Sequence, residues 1–199
     1  MNFVTMWMNP SSIKKAITIQ VRIAYSTYQT NKDMKTVLVL NSGSSSLKAS
    51  LIVCEHPIIE KTPPHSRLIT AHGERLGTQD SSLRIVISVD KIDKLVSSSV
   101  RVSRGQTNID QFHGTTRTVT EEFAPWENMK KIEINSPQMR HEDAIERVVA
   151  LIKMLSEVLF STIVAVGHRV VHGGLLSDAV IIDEAVLKSI EDATHLAPL

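Results

Sequence analysis

The chain has 199 residues, a formal net charge of +1 and 42% hydrophobic residues, which suits one large globular domain or a small pair. A charge this close to zero gives no electrostatic footprint for DNA, RNA or an anionic membrane, and no apolar run reaches the ~18 residues of a membrane span. The single cysteine, Cys54, rules out an intrachain disulfide and fits a reducing, cytoplasmic compartment.

Residues 1–33 carry Lys14, Lys15, Arg22 and Lys32, with no acid before Asp33. These bases beside Ile13, Ile17 and Ile23 admit a transit peptide or a surface-seeking helix. Pro10 and the strand-favouring Thr18 and Val21 argue against both. The segment is read as an N-terminal extension, disordered or upstream of a true start at Met34, and 34–199 as the domain.

Residues 36–40 are short, apolar and β-branched, the signature of a buried strand. Asn41-Ser42-Gly43-Ser44-Ser45-Ser46 breaks that strand with turn residues, and 47–53 resumes it, so the pair reads as a hairpin. Cys54, closing the second run, reads as a small strand residue rather than a nucleophile. Two more strands are expected over 68–74 and 83–89. Residues 94–135 show no clean period and are read as irregular with short strands. The spacing of Ala144, Ile145, Val148, Val149, Ile152, Leu155 and Leu159 predicts one helix over 141–159, with Ser136 before Pro137 as its start signal. A buried strand over 162–166, a loop over 167–174, a short strand over 179–182 and a helix capped by Asp183 and running to about His195 complete the pattern. Hairpins followed by a helix feeding a buried strand give an α/β fold with a mixed sheet.

Two segments carry chemistry. In Asn41-Ser42-Gly43-Ser44-Ser45-Ser46-Leu47-Lys48 the small residues let backbone N–H groups approach an anion, and successive N–H groups in a turn form a concave nest. Serine hydroxyls add donors, Lys48 adds a positive charge past the turn, and Asn41 offers a carbonyl oxygen suited to Mg2+ or its bound water. The bland alternative is a solvated turn, which is the commoner outcome for a generic Ser/Gly hairpin. The segment is not a Walker A loop: it lacks the G-x-x-x-x-G-K-[ST] pattern and leads into a strand rather than a helix.

The second segment, Val166-Gly167-His168-Arg169-Val170-Val171-His172-Gly173-Gly174, begins where a buried strand ends, a common place for ligand groups in α/β sheets. Arg169 can hold a carboxylate or phosphate by two parallel hydrogen bonds, and Val171 would point the same way in an extended segment and offer an apolar wall. His168 and His172 supply too few ligands for zinc and lack the neighbouring glutamate of the helical zinc motif; each is read as a structural histidine whose hydrogen bonds shape the loop. His113 with Asp110 could suggest an acid–base pair, but the region is irregular and no nucleophile is placed beside it. Glu142, Asp143 and Glu146 read as a solvated face suited to a helix N-terminus.

Together the two segments resemble the acetate kinase family. Val37 to Lys48 looks like its N-terminal signature and Gly167 to Gly174 like a second block of its pattern; Glu74-Arg75-Leu76-Gly77 and Ala197-Pro198-Leu199 are also similar. The resemblance implies an RNase H-like, actin-like ATPase fold with a mixed sheet and flanking helices, the N-terminal domain of a two-domain enzyme. It implies ATP and acetate, or ADP and acetyl phosphate, as ligands, with Mg2+ as cofactor. On the same resemblance Asn41 would bind Mg2+, Lys48 would contact the ATP phosphates, Ser42, Gly43, Ser44, Ser45 and Ser46 would cradle them, and Arg169 and Val171 would bind the carboxylate and its methyl group. Such chemistry needs little general base, because a carboxylate is already ionised; it needs two anions aligned and their charge stabilised. Family members continue further. Their catalytic aspartate, a histidine, a second arginine, a metal-binding glutamate and the adenosine loops have no counterpart here, so a truncated chain, inactive alone, is expected, and no catalytic residue is assigned. The complete enzyme is expected to be a homodimer. A non-catalytic remnant and a butyrate or propionate kinase are the alternatives. A sugar kinase fits less well, because Arg169 beside small apolar residues suits a short carboxylate better than a polyol.

Overall fold

A computed structural model describes residues 35–54, 67–95, 118–124, 128–170, 176 and 178–196. Strands β1 (Lys35–Ser42), β2 (Leu47–Cys54), β3 (Arg67–Glu74), β4 (Ser82–Ser88), β5 (Thr118–Ala124), β6 (Met129–Asn135) and β7 (Ile163–His168) form one sheet in the order β5-β6-β4-β3-β2-β1-β7. All neighbours are antiparallel except β1 and β7, which run parallel. The sheet is therefore mixed, as the pattern of hairpins before a helix–strand unit predicts.

Alternation sets the faces. In β1, Thr36, Leu38, Leu40 and Ser42 are buried while Lys35 and Val39 are exposed, so one side of the strand enters the core. Leu47, Ala49 and Leu51 of β2, Ala71 of β3, and Leu83, Ile85 and Ile87 of β4 extend the same apolar layer. Helix α2 (His141–Leu155) packs over β2 and β3 and buries Ala144, Ile145, Val148, Leu151, Ile152 and Leu155. Its i, i+3, i+4 spacing places these on one stripe. Side chains of this kind contribute about 1.5–3 kcal/mol each when fully buried. Thr36 and Thr162, both buried, satisfy each other at 3.1 Å where β7 begins alongside β1.

Several boundaries differ from the sequence reading. The helix expected over 141–159 is two: α2 stops at Leu155, Ser156 is extended, and α3 (Glu157–Ser161) begins with the Ser156 hydroxyl accepting from the Leu159 N–H. Ser136 is not the start of α2. Arg140 precedes the helix, its N–H donating to the Asp143 carboxylate at 2.8 Å, so Asp143 is a capping group rather than part of a solvated face. Val89 opens a short helix, α1 (Val89–Leu95), instead of closing a strand. Residues 94–135 contribute β5 and β6, two full strands of the sheet. Residues 179–182 form no strand; Ile182 packs instead with Val170, Val186, Leu187 and Ile190 under α4 (Glu184–Asp192). Asp183 caps α4 as expected, its carboxylate accepting from the Val186 N–H at 2.8 Å, and a 3-10 turn (Thr194–Leu196) follows the helix. The readings of 1–33 and of His113 with Asp110 lie outside the described residues. No helix among the described residues is long and apolar enough to cross a membrane.

Candidate functional site

The two chemical segments, distant in sequence, meet at one end of the sheet. Leu40 is the register partner of His168 in the parallel ladder, so β1 and β7 finish side by side. Asn41 and Ser42 close β1, and Arg169, exposed, follows β7 directly. Adjacent carboxyl ends of parallel strands are where α/β sheets gather ligand groups. Asn41, half-buried, pairs in register with the exposed Lys48 on β2, so both side chains leave the same face of the hairpin. Val171, with His172, Gly173 and Gly174, lies outside the described residues.

The loop joining β1 to β2 is closed on itself. The Gly43 N–H donates to the Ser46 carbonyl at 2.8 Å. The Ser45 carbonyl accepts from the Leu76 N–H, also at 2.8 Å. His141 Nε2 lies 2.9 Å from the Gly43 oxygen and 3.2 Å from the Ser46 oxygen. A carbonyl can only accept, so Nε2 carries the proton and donates to both. Among the described residues, no acceptor is engaged by the N–H groups of Ser44, Ser45 or Ser46. Ser44 and Ser45 are exposed and Ser46 is half-buried. Ser42 differs: it is buried on the Leu40 side of the strand, and its hydroxyl has no partner among the described residues. Gly43 admits no side chain without movement, because a Cβ there would lie 2.8 Å from Ser46 Oγ.

Two further loops brace this one. Gly77 N–H donates to the Met139 carbonyl at 2.8 Å and Gln138 N–H to the Thr78 carbonyl at 2.7 Å, joining the β3–β4 turn to the approach to α2. Arg75, Gly77 and Gln138 all hold positive φ, at 52°, 83° and 56°, a conformation that costs a non-glycine residue energy and needs tertiary support. The sequence marked Glu74 to Gly77 only by resemblance, and His141 only as the start of a helix. That Leu76 and His141 hold the serine loop carried no local signal, since both contacts depend on the sheet bringing distant segments together.

His168 is buried and, among the described residues, neither ring nitrogen has a partner, which differs from the reading of this residue as a hydrogen-bonding loop former. Burial pushes its pKa down to about 4, so the ring is neutral at ordinary pH. Burial likewise raises the pKa of the Cys54 thiol, which suits an inert strand residue. Among the described residues no group of three His, Cys, Asp or Glu side chains is arranged to hold a metal ion. The donor set beside the loop, one amide oxygen and several hydroxyls, suits Mg2+ only as an ion that keeps waters and arrives with a phosphate.

Comparison with known proteins bears on this arrangement. A model of the acetokinase family matches residues 108–199, which takes in Arg169 and Val171. Acetate kinase 2 of Photobacterium profundum is 32% identical over 164 residues, covering 82% of this chain and 29% of that protein. A span of that size necessarily includes residues 41–48. The chain belongs to the acetokinase family. Acetate kinase of Caldanaerobacter subterraneus is 30% identical over 172 residues, with 82% of this chain and 30% of that protein covered. The crystal structure of a propionate kinase from Francisella tularensis superposes with a TM-score of 0.50 at 25% identity, over 83% of this chain and 30% of its own. Porphyromonas gingivalis acetate kinase gives the same TM-score and identity, over 83% of this chain and 31% of its own. The fold is thus the actin-like α/β architecture of these acetokinases. The chain spans less than a third of the length of these relatives.

Proposed function

We propose that this chain carries the phosphate- and carboxylate-binding corner of an ATP-dependent carboxylate kinase, which interconverts ATP and acetate with ADP and acetyl phosphate. The observation supporting this reading is the pairing of Leu40 with His168, which sets the Asn41–Lys48 hairpin beside Arg169. In the proposed reaction a carboxylate oxygen forms a bond to the γ-phosphorus as the bond to the ADP oxygen breaks. Arg169 orients the carboxylate by its planar fork, and Lys48 and the loop N–H groups stabilise phosphoryl charge. Val171 would supply the apolar wall against the methyl group. Asn41 and the loop hydroxyls would hold Mg2+ with the nucleotide, where it neutralises charge on the phosphates. No general base is required, because the nucleophile is already an anion.

The test is ADP formation by the purified 199-residue chain with Mg2+ and acetate, beside Arg169→Ala. Turnover lost in the variant supports a working site. Absence of turnover that is regained when a longer reading frame is expressed supports a kinase whose remaining groups lie elsewhere. Absence in both sinks the kinase reading and leaves a non-catalytic remnant. The likeness to a propionate kinase makes propionate the second acid to assay, with butyrate the third. A cytoplasmic, homodimeric complete enzyme belongs to the same proposal.

A further inference from the structure

We propose that His141 is a positioning residue for the serine loop, one that makes the loop an anion cradle by turning its carbonyl oxygens away from the ligand. The inference rests on reading this loop as the phosphate site and adds a residue from outside both sequence motifs. A turn of small residues presents N–H groups and carbonyl oxygens alike, and a carbonyl aimed at a phosphate would repel it. Here three of the oxygens are held by the protein. His141 Nε2–H takes those of Gly43 and Ser46 at 2.9 and 3.2 Å, and the Leu76 N–H takes that of Ser45 at 2.8 Å. With these oxygens held by the protein, the N–H groups of Ser44, Ser45 and Ser46 face only one loop carbonyl, that of Ser44, without a bond among the described residues, so donors outnumber acceptors for an anion.

The anchor is rigid. His141 is the first residue of α2, whose start is fixed by the Arg140 N–H on the Asp143 carboxylate at 2.8 Å and whose apolar stripe is buried over β2 and β3. The imidazole spans from that helix to two carbonyls of a loop far away in sequence and so ties the loop to α2. His141 touches no reacting atom in this arrangement and acts through the loop.

The experiment follows the backbone amides of Ser44, Ser45 and Ser46 by NMR in the 199-residue chain during titration with MgATP and, separately, inorganic phosphate. His141→Leu removes the donor, and His141→Gln places an amide N–H near the same point. Unchanged amide shifts at Leu51 and Ile85, with the unliganded Tm, report that each variant is folded. The expected result is a loss of about tenfold in affinity for His141→Leu and recovery to within about threefold for His141→Gln. If His141→Leu responds like the wild type, or if the glutamine variant fails to recover while folded, the positioning role is wrong and the phosphate site stands. If the wild-type amides do not respond to either ligand, the phosphate reading of the loop falls and the role of His141 falls with it.

Discussion

Asn41 and Lys48 face one another across the first hairpin, one at the end of β1 and the other near the start of β2. The pairing places an amide oxygen and an ammonium group on one side of the loop that joins them. Under the proposed reading, Lys48→Ala weakens MgATP binding about tenfold, and because the lysine is exposed the loss shrinks as salt is added. Isothermal titration at low and high ionic strength measures both effects. Unchanged affinity at low salt would remove Lys48 from the phosphate site.

Gly43 tests the loop by shape alone. Gly43→Ala sets a methyl group 2.8 Å from Ser46 Oγ, a contact that rotation of the serine side chain relieves in part, so the cost stays at the low end of overpacking, about 1 kcal/mol. Ser46→Ala removes the obstructing atom, so the double variant should regain most of the stability lost by the single one. Urea denaturation of the four proteins gives the coupling. Additive losses would mean that some other contact makes Gly43 necessary.

His168 predicts a particular sensitivity to acid. Its folded pKa lies near 4 against an ordinary value of 6.5, so between these values the unfolded chain takes up a proton that the folded chain refuses. Its contribution to stability is whole above the ordinary value, falls as the pH drops towards 4, and levels off below. The full loss is about 3 kcal/mol. His168→Leu should therefore lose less stability than the wild type over that window, by a comparable amount. Parallel stability curves for the two proteins would contradict the buried, neutral imidazole.

Lys130 and Glu121 form a buried ion pair at 2.8 Å between β6 and β5, with side chains 2% and 13% exposed. Removing one partner leaves the other charge inside the protein. Lys130→Met should cost about 3 kcal/mol, and adding Glu121→Leu should recover most of it. Equilibrium unfolding of the single and double variants decides the point; a double variant no more stable than the single one refutes it.

The same ion pair explains why the sequence reveals some strands and hides others. β1, β2, β3 and β7 show themselves as short apolar runs, because most of their buried positions hold Leu, Ile, Val and Ala. In β6 the inward positions are Lys130, Ile132 and Ile134, so a lysine stands where an apolar residue would complete the alternation. Its partner Glu121 obscures β5 in the same way. The break in the helix at Ser156 is concealed for the opposite reason: Leu155 and Leu159 keep helical spacing across it, while the serine turns to cap the next helix. Of the candidate site, Asn41 to Lys48 and Arg169 can be proposed from the sequence because their chemistry is local. His141 is not, because its role exists only once α2 has packed against the sheet.

β7 has a hydrogen-bonded neighbour on its β1 side alone among the described residues. Among the described residues its outer rail of N–H and C=O groups is left to another strand, and edges of this kind are templates for pairing. The strand leading to Arg169 is the one at that margin. Any strand that joins there in parallel brings its own carboxyl end next to Arg169 and Asn41. The corner proposed to bind two anions is therefore also the place where the sheet can grow, and new side chains can be added to it without disturbing the hairpin that cradles the first.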